Sequence, residues 1–214
     1  MGFVDRVLDA GRKRKAFWCH NRCDENLIIG EKMSVNAWMS WEGGVDLVAL
    51  TAPDLTSANV IVHVARMVHT PVGSAPSGMI LWQPNPNEAP LAIGFVSTDA
   101  NVGAYFGAHV FAGTPFENAP VHVAEMTFEI GEESVAARVV IEGFVFETRL
   151  ENLAAPEIIA REPGALPFTQ SVVEAVSSRA SLRVNGETIE VFVPPVGLSG
   201  GPGAVFAPLG FYAR

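Results

Sequence analysis

The sequence predicts a mainly β protein, an antiparallel β-barrel or β-sandwich of about ten strands with an N-terminal helix and one further helix near 169–179. Three observations carry that expectation. From Val35 onward the chain alternates short β-rich runs with Gly, Pro, Asn and Asp clusters, which is the punctuation of a strand-and-turn fold. The stretch Val62-His63-Val64-Ala65-Arg66-Met67 returns 59 residues later as Val121-His122-Val123-Ala124-Glu125-Met126. Finally, a chain of 214 residues, 49% hydrophobic, is long enough to bury a core without metal or disulfide staples.

Taken in order, Phe3, Val4, Val7 and Leu8 fall on one helical face, with Asp5, Arg6 and Asp9 elsewhere. That spacing predicts a short amphipathic helix over 3–10, ended by Gly11 and the basic run Arg12-Lys13-Arg14-Lys15. Strands are expected at 35–41, 45–51, 59–68, 78–83, 91–97, 102–111, 120–130, 135–149, 181–184 and 189–193. Glu42-Gly43-Gly44 supplies the positive φ of a tight hairpin, and Asn185-Gly186 suits a type I′ turn. The prolines at 71, 84 and 86 mark longer loops, because proline removes a ladder donor and fixes φ. Val172, Val173 and Val176 recur at helical spacing after Thr169 and Ser171, and Ser171 with Glu174 fits a capping box, which places the second helix.

If the repeated hexapeptide marks a duplication, pseudo-repeat halves 35–97 and 98–150 share a single domain, 1–214, with a helix-plus-hairpin segment at 165–214. Strand parity puts Ile61, His63, Ala65, Met67 and His69 on one face. In the second copy His122, Ala124, Met126, Phe128 and Ile130 share the apolar face, so the histidine faces are read as inward. Arg66 and Glu125 occupy the same slot on the opposite faces, where they would form a cross-strand ion bridge.

Charge narrows the partners. The formal net charge is −9, and residues 1–22 hold six Lys or Arg against two Asp, so the remaining body is more acidic still. Such a body repels phosphate backbones, which argues against nucleic acid. The basic run reads as a solvated face. No apolar run approaches membrane-spanning length, and the start has no secretory pattern, so no membrane partner is expected and the location is read as cytoplasmic. Only 17% of residues are charged. That is low for a soluble surface and points to a homo-oligomer, a dimer first, that covers apolar area.

Motifs remove several chemistries. Gly197-Leu198-Ser199-Gly200-Gly201 has the letters of a hydrolase nucleophile elbow, but Gly201-Pro202-Gly203 forbids the helix that should follow. No Asp, Glu or His lies after Ser199, so the stretch reads as a glycine-rich loop before the final strand. No Lys-Ser/Thr and helix follow it either, which removes a P-loop. Cys19, His20, Cys23 and Asp24 offer zinc donors within six residues, but no second cluster closes the site, so a loop with buried thiols is the simpler reading. Lysine occurs only at 13, 15 and 32, ahead of the β body, which leaves no Schiff-base lysine within it. No G-x-G-x-x-G turn or basic cluster identifies a dinucleotide or flavin, and no cofactor is assigned.

The remaining candidates are His63, His69 and His122, as metal ligands or, for His63 and His122, as acid and base, because imidazole titrates near neutrality. Tyr105 and His109, on one face of the 102–111 run, are candidate neighbours, and Tyr105 or Glu125 would assist catalysis. The expected function is therefore a small-molecule-binding barrel or an enzyme with a histidine-lined pocket. The competing expectation is a non-catalytic structural or oligomeric assembly module, in which the same side chains are core.

Overall fold

A computed structural model describes residues 37–164 and 167–214. The expected N-terminal helix, the basic run, the Cys19–Asp24 cluster and all three lysines lie outside these residues. The described chain builds a single sheet of 12 strands in the order β5-β4-β3-β2-β1-β12-β10-β8-β7-β6, with β9 and β11 pairing with β10 off this path. The strands are β1 (Trp38–Ala49), β2 (Val60–Thr70), β3 (Gly73–Trp82), β4 (Ala92–Ser97), β5 (Val121–Val123), β6 (Glu125–Ile130), β7 (Ser134–Ile141), β8 (Phe144–Leu153), β9 (Glu157–Arg161), β10 (Thr169–Val184), β11 (Glu187–Ile189) and β12 (Ala204–Ala213). The two ends of the path, β5 and β6, are separated only by buried Ala124. The sheet is thereby nearly closed into a barrel, and the mainly β fold class holds.

The closure explains where the apolar residues go. Val45 and Leu47 of β1, Val62 and Val64 of β2, Phe146 and Leu150 of β8 and Leu182 of β10 form one enclosed core between the two halves of the sheet. On the opposite face Trp41 and Val48 of β1, Met79 of β3, Phe95 of β4 and Tyr212 of β12 pack with Phe106 and Phe111 into a second core. Strands buried on both faces read as near-continuous hydrophobic runs, which is why residues 60–65 are apolar at almost every position.

Several expected elements need correction. Glu42-Gly43-Gly44 makes no hairpin: β1 runs straight through it and keeps one register with both neighbours, β2 and β12. The positive φ is real, +64° at Gly43. It flips the side chains from one face to the other within the strand, so that Met39 and Trp41 share a core with Val48 and not with Val45. The run 102–111 is not a strand. It forms a helix α1 (Ala100–Tyr105) continued by a π-helical segment, Phe106–Val110. Asp99 caps it, its carboxylate accepting from the backbone N–H of Asn101 at 2.8 Å and of Val102 at 3.3 Å. Val102, Phe106 and Val110 are all buried, and that spacing of four is the helical period.

The helix expected at 169–179 is the first part of the 16-residue strand β10. Gln170, Val172 and Glu174 are buried while Thr169 and Ser171 are exposed, a period of two. The β-branched valines that mimicked a helical stripe favour a strand once a sheet edge is there to pair with. The runs 120–130 and 135–149 each divide into two strands, the latter at Gly143 with φ +79°. The Asn185-Gly186 turn holds, with φ of 50° and 84° at its central residues. The hexapeptide copies occupy different places: the first lies within β2 and pairs antiparallel with β1 and β3, whereas the second spans the β5–β6 seam and β5 pairs parallel with β4.

Candidate functional site

The antiparallel register of β1 and β2 sets Asp46 directly opposite His63. Their side chains meet at 2.7 Å through the imidazole Nδ1 and a carboxylate oxygen. Both belong to the face of β1 and β2 that looks away from the enclosed core, between Val45 and Leu47 on one strand and Val62 and Val64 on the other. There they line a cavity of about 50 Å³, room for a few waters or a molecule of a few heavy atoms. The rest of its wall is largely apolar, with Met39, Trp41, Met79, Phe95, Phe106 and Phe111. Six strands, β1 to β4, β10 and β12, with the π-helical segment and the loop at 198–202, thus converge on one space.

Two further polar groups enter it, Glu174 and Tyr212, and Arg161 holds the first of them from behind. Glu174 of β10 is 5% exposed, and Arg161 of β9 holds both its oxygens, at 2.6 and 2.7 Å. That bidentate fork neutralises a carboxylate that burial alone would penalise. Tyr212 of β12 is 3% exposed, stacked on Phe168 at 4.3 Å and edge-on to Trp41 at 4.6 Å between ring centroids. Trp41 lies across Gly210 of β12, where any β-carbon would overlap the indole ring. Glycine at that register position is what lets the indole lie flat along the cavity wall.

The electrostatics follow from these neighbours. Burial draws the His63 pKa down, but the charge of Asp46 and the hydrogen bond to it together outweigh burial and leave the imidazole above its ordinary value. Burial, reinforced by the negative charges of Asp46 and Glu174, pushes the Tyr212 hydroxyl far above its usual range, so it is a neutral donor at physiological pH. The hydrogen bond from Arg161 to Glu174 raises the guanidinium pKa against the opposing effect of its own burial. With Nδ1 held by Asp46, the Nε2 atom of His63 is the ring position left to act on a ligand. It is a charged donor below the imidazole pKa and an acceptor above it.

Of the residues expected from sequence, only His63 lines this cavity. His69 is on the other side of a register shift between Ala65 and Val68, which defeats the strand parity that put the two together. It contacts Ser74 at 2.8 Å and Glu42 at 3.3 Å. His122 sits at the β4–β5 seam and donates from Nε2 to the Ile93 carbonyl at 3.1 Å. Tyr105 is buried, its hydroxyl bonded to the Trp38 backbone and its ring stacked on His109 at 4.6 Å. Glu125 is exposed on β6, and Arg66 pairs instead with Glu42 at 2.9 Å. No three His, Cys, Asp or Glu side chains are grouped to hold a metal among the described residues.

The structure adds Asp46, Trp41, Arg161, Glu174 and Tyr212, none of which forms a local motif. The signal for Asp46 was available only as register, since Asp46 and His63 are equidistant from the middle of the turn between β1 and β2. Ser199 lines the same cavity, although its chain order with respect to Asp46 and His63 differs from that of a nucleophile elbow. Its hydroxyl makes no hydrogen bond to His63.

No helix among the described residues is long and apolar enough to cross a membrane. No family model matches the chain, and comparison with curated proteins finds no match. Among solved structures the chain is similar to an acetoacetate decarboxylase from Legionella pneumophila, at 9% identity over 83% of this chain and 84% of that one, with a TM-score of 0.34.

Proposed function

We propose that this protein binds a small molecule in the cavity beside His63 and acts on it, or responds to it, through the His63–Asp46 pair. The observation that carries the reading is a hydrogen-bonded imidazole and carboxylate at 2.7 Å on the wall of an otherwise apolar cavity. An apolar pocket with a few convergent polar groups and a perturbed titratable residue is the usual form of a ligand site. Asp46 fixes the tautomer and orientation of the ring, and Nε2 is then poised to give or take a proton. The test is a fragment screen by thermal shift and by the Trp41 indole N–H signal in ¹⁵N NMR, repeated on Ala65→Leu, which fills the cavity from β2. Fragments that move the Trp41 signal in the parent and not in Ala65→Leu support the reading. Fragments that act equally on both, or none that act, overturn it.

A second reading, assembly, has its own observation. Leu209 of β12, Val173 of β10 and Ile158 of β9 are adjacent in register, and Leu209 and Ile158 are 55% and 85% exposed. Phe211, two residues along the same face, is 42% exposed. We propose that this face joins two copies of the chain, since contiguous exposed apolar surface usually marks an interface. Sedimentation should give a dimer for the parent and a monomer for Ile158→Glu combined with Leu209→Glu; a monomeric parent removes the proposal.

A further inference from the structure

We propose that the ligand of this cavity is a small carboxylate, its oxygens received by the indole N–H of Trp41, the hydroxyl of Tyr212 and Nε2 of His63, with its short alkyl chain against Met39, Met79 and Phe95. The inference rests on the pocket reading above and deepens it by naming the ligand class.

Its basis is a surplus of donors. Trp41 and Tyr212 are 4% and 3% exposed, and neither head group has a hydrogen-bond partner among the described residues. Among those residues, the one fully enclosed side-chain polar atom that lacks a partner is Thr148 Oγ1. The Trp41 and Tyr212 heads therefore keep some accessible surface, and the space that both side chains line is the cavity. Buried donors are almost always matched by an acceptor, from protein, water or ligand. The Glu174 carboxylate does not serve, because Arg161 occupies both its oxygens, and one oxygen of Asp46 is held by His63. Three donors thus line a space in which two side-chain acceptor atoms stay uncommitted among the described residues, the second Asp46 oxygen and the Ser199 hydroxyl, and a carboxylate supplies several further lone pairs in one planar group.

Charge gives the proposal a pH dependence. The ionisable groups around the space are Asp46 on β1, His63 on β2, Arg161 on β9, Glu174 on β10 and Tyr212 on β12. Arg161 and Glu174 cancel, and Tyr212 is neutral. With His63 protonated Asp46 is cancelled too, and an anion enters a site of no net charge that offers a charged donor. With His63 neutral the site is net negative, and the same anion is repelled. Binding of a carboxylate therefore takes up a proton at His63 and weakens as pH rises through the imidazole pKa.

The probes are propanoate, propanol and propylamine, matched to a cavity of about 50 Å³, each titrated into the protein by calorimetry and by the Trp41 indole N–H signal at pH 6 and pH 8. Propanoate should bind most tightly, shift that signal, and lose about fivefold or more in affinity between pH 6 and pH 8. Tyr212→Phe and His63→Gln should each weaken propanoate by about tenfold, the scale of a lost hydrogen bond to a charged group, and weaken propanol by less. Thermal unfolding of both variants checks that they fold. If propylamine binds as tightly as propanoate, or both variants bind propanoate like the parent, the carboxylate assignment is overturned. If propanol or propylamine moves the Trp41 signal and propanoate does not, the pocket stands and the ligand class falls. If none of the three moves it, both are overturned.

Discussion

The two faces of β1 make opposite use of the same strand. Val45, Leu47 and Ala49 point into the enclosed core and are fully buried at 0% exposure, surrounded by aliphatic neighbours from both halves of the sheet. Asp46, one residue away on the other face, points into a cavity with an imidazole beside it. A barrel interior packed to crystal-like density has no space for a ligand, whereas the outer face, roofed by the π-helical segment and the 198–202 loop, encloses polar groups and leaves room between them. The close-packed core and the polar cavity are thus segregated by side-chain parity along one strand.

That contrast can be broken from either side. The largest effect is expected at the cavity's ion pair: Glu174→Gln leaves the Arg161 guanidinium without its buried carboxylate and should cost about 3–5 kcal/mol, read by urea denaturation. In the enclosed core Leu47→Ala should cost about 2–5 kcal/mol with no change in ligand binding. Equal loss of binding and stability in that variant would show that the two faces are not independent.

A smaller effect of opposite sign tests the polar intruder in the enclosed core. Thr148, 1% exposed, faces inward between Ala137 and Leu182 in register, and its hydroxyl has no partner among the described residues. Thr148→Val keeps the shape and removes an unsatisfied group, so it should stabilise by about 1 kcal/mol; a loss of stability would mean the hydroxyl is bonded.

The smallest effect is the pH dependence of stability. Because Asp46 raises the folded-state pKa of His63, the stabilisation from this pair is fully present below the unfolded value of roughly 6.5 and is lost as pH rises through the folded pKa. Denaturation midpoints at pH 6 to pH 9 should show this decline in the parent, and His63→Gln should flatten it.

The sequence made the β architecture legible because alternation and turn chemistry are local. The Asn185-Gly186 turn needs positive φ at both central residues, and its own letters say so. Gly43 carries the same local signal, but only the neighbouring strands decide whether a positive φ reverses the chain or swaps its faces within a continuous strand. Residues 169–179 failed for a related reason: three valines at positions 172, 173 and 176 satisfy a helical stripe, and the partner strands β9, β12 and β8 impose the strand. The site was legible only as His63. Asp46 and His63 are 17 positions apart and Tyr212 is at the far end of the chain, so their meeting depends on register and on sheet order β2-β1-β12-β10. His69 shows the converse, since one register shift separates a histidine that parity had placed beside His63.

The most direct measurement is an NMR titration of the His63 ring in the parent and in Asp46→Asn. The parent should titrate above the ordinary imidazole value, and Asp46→Asn should drop below it, because burial then acts without the carboxylate. A His63 pKa that is unchanged by the substitution would contradict the account, since Asp46 would not be setting the protonation of the group on which the site depends.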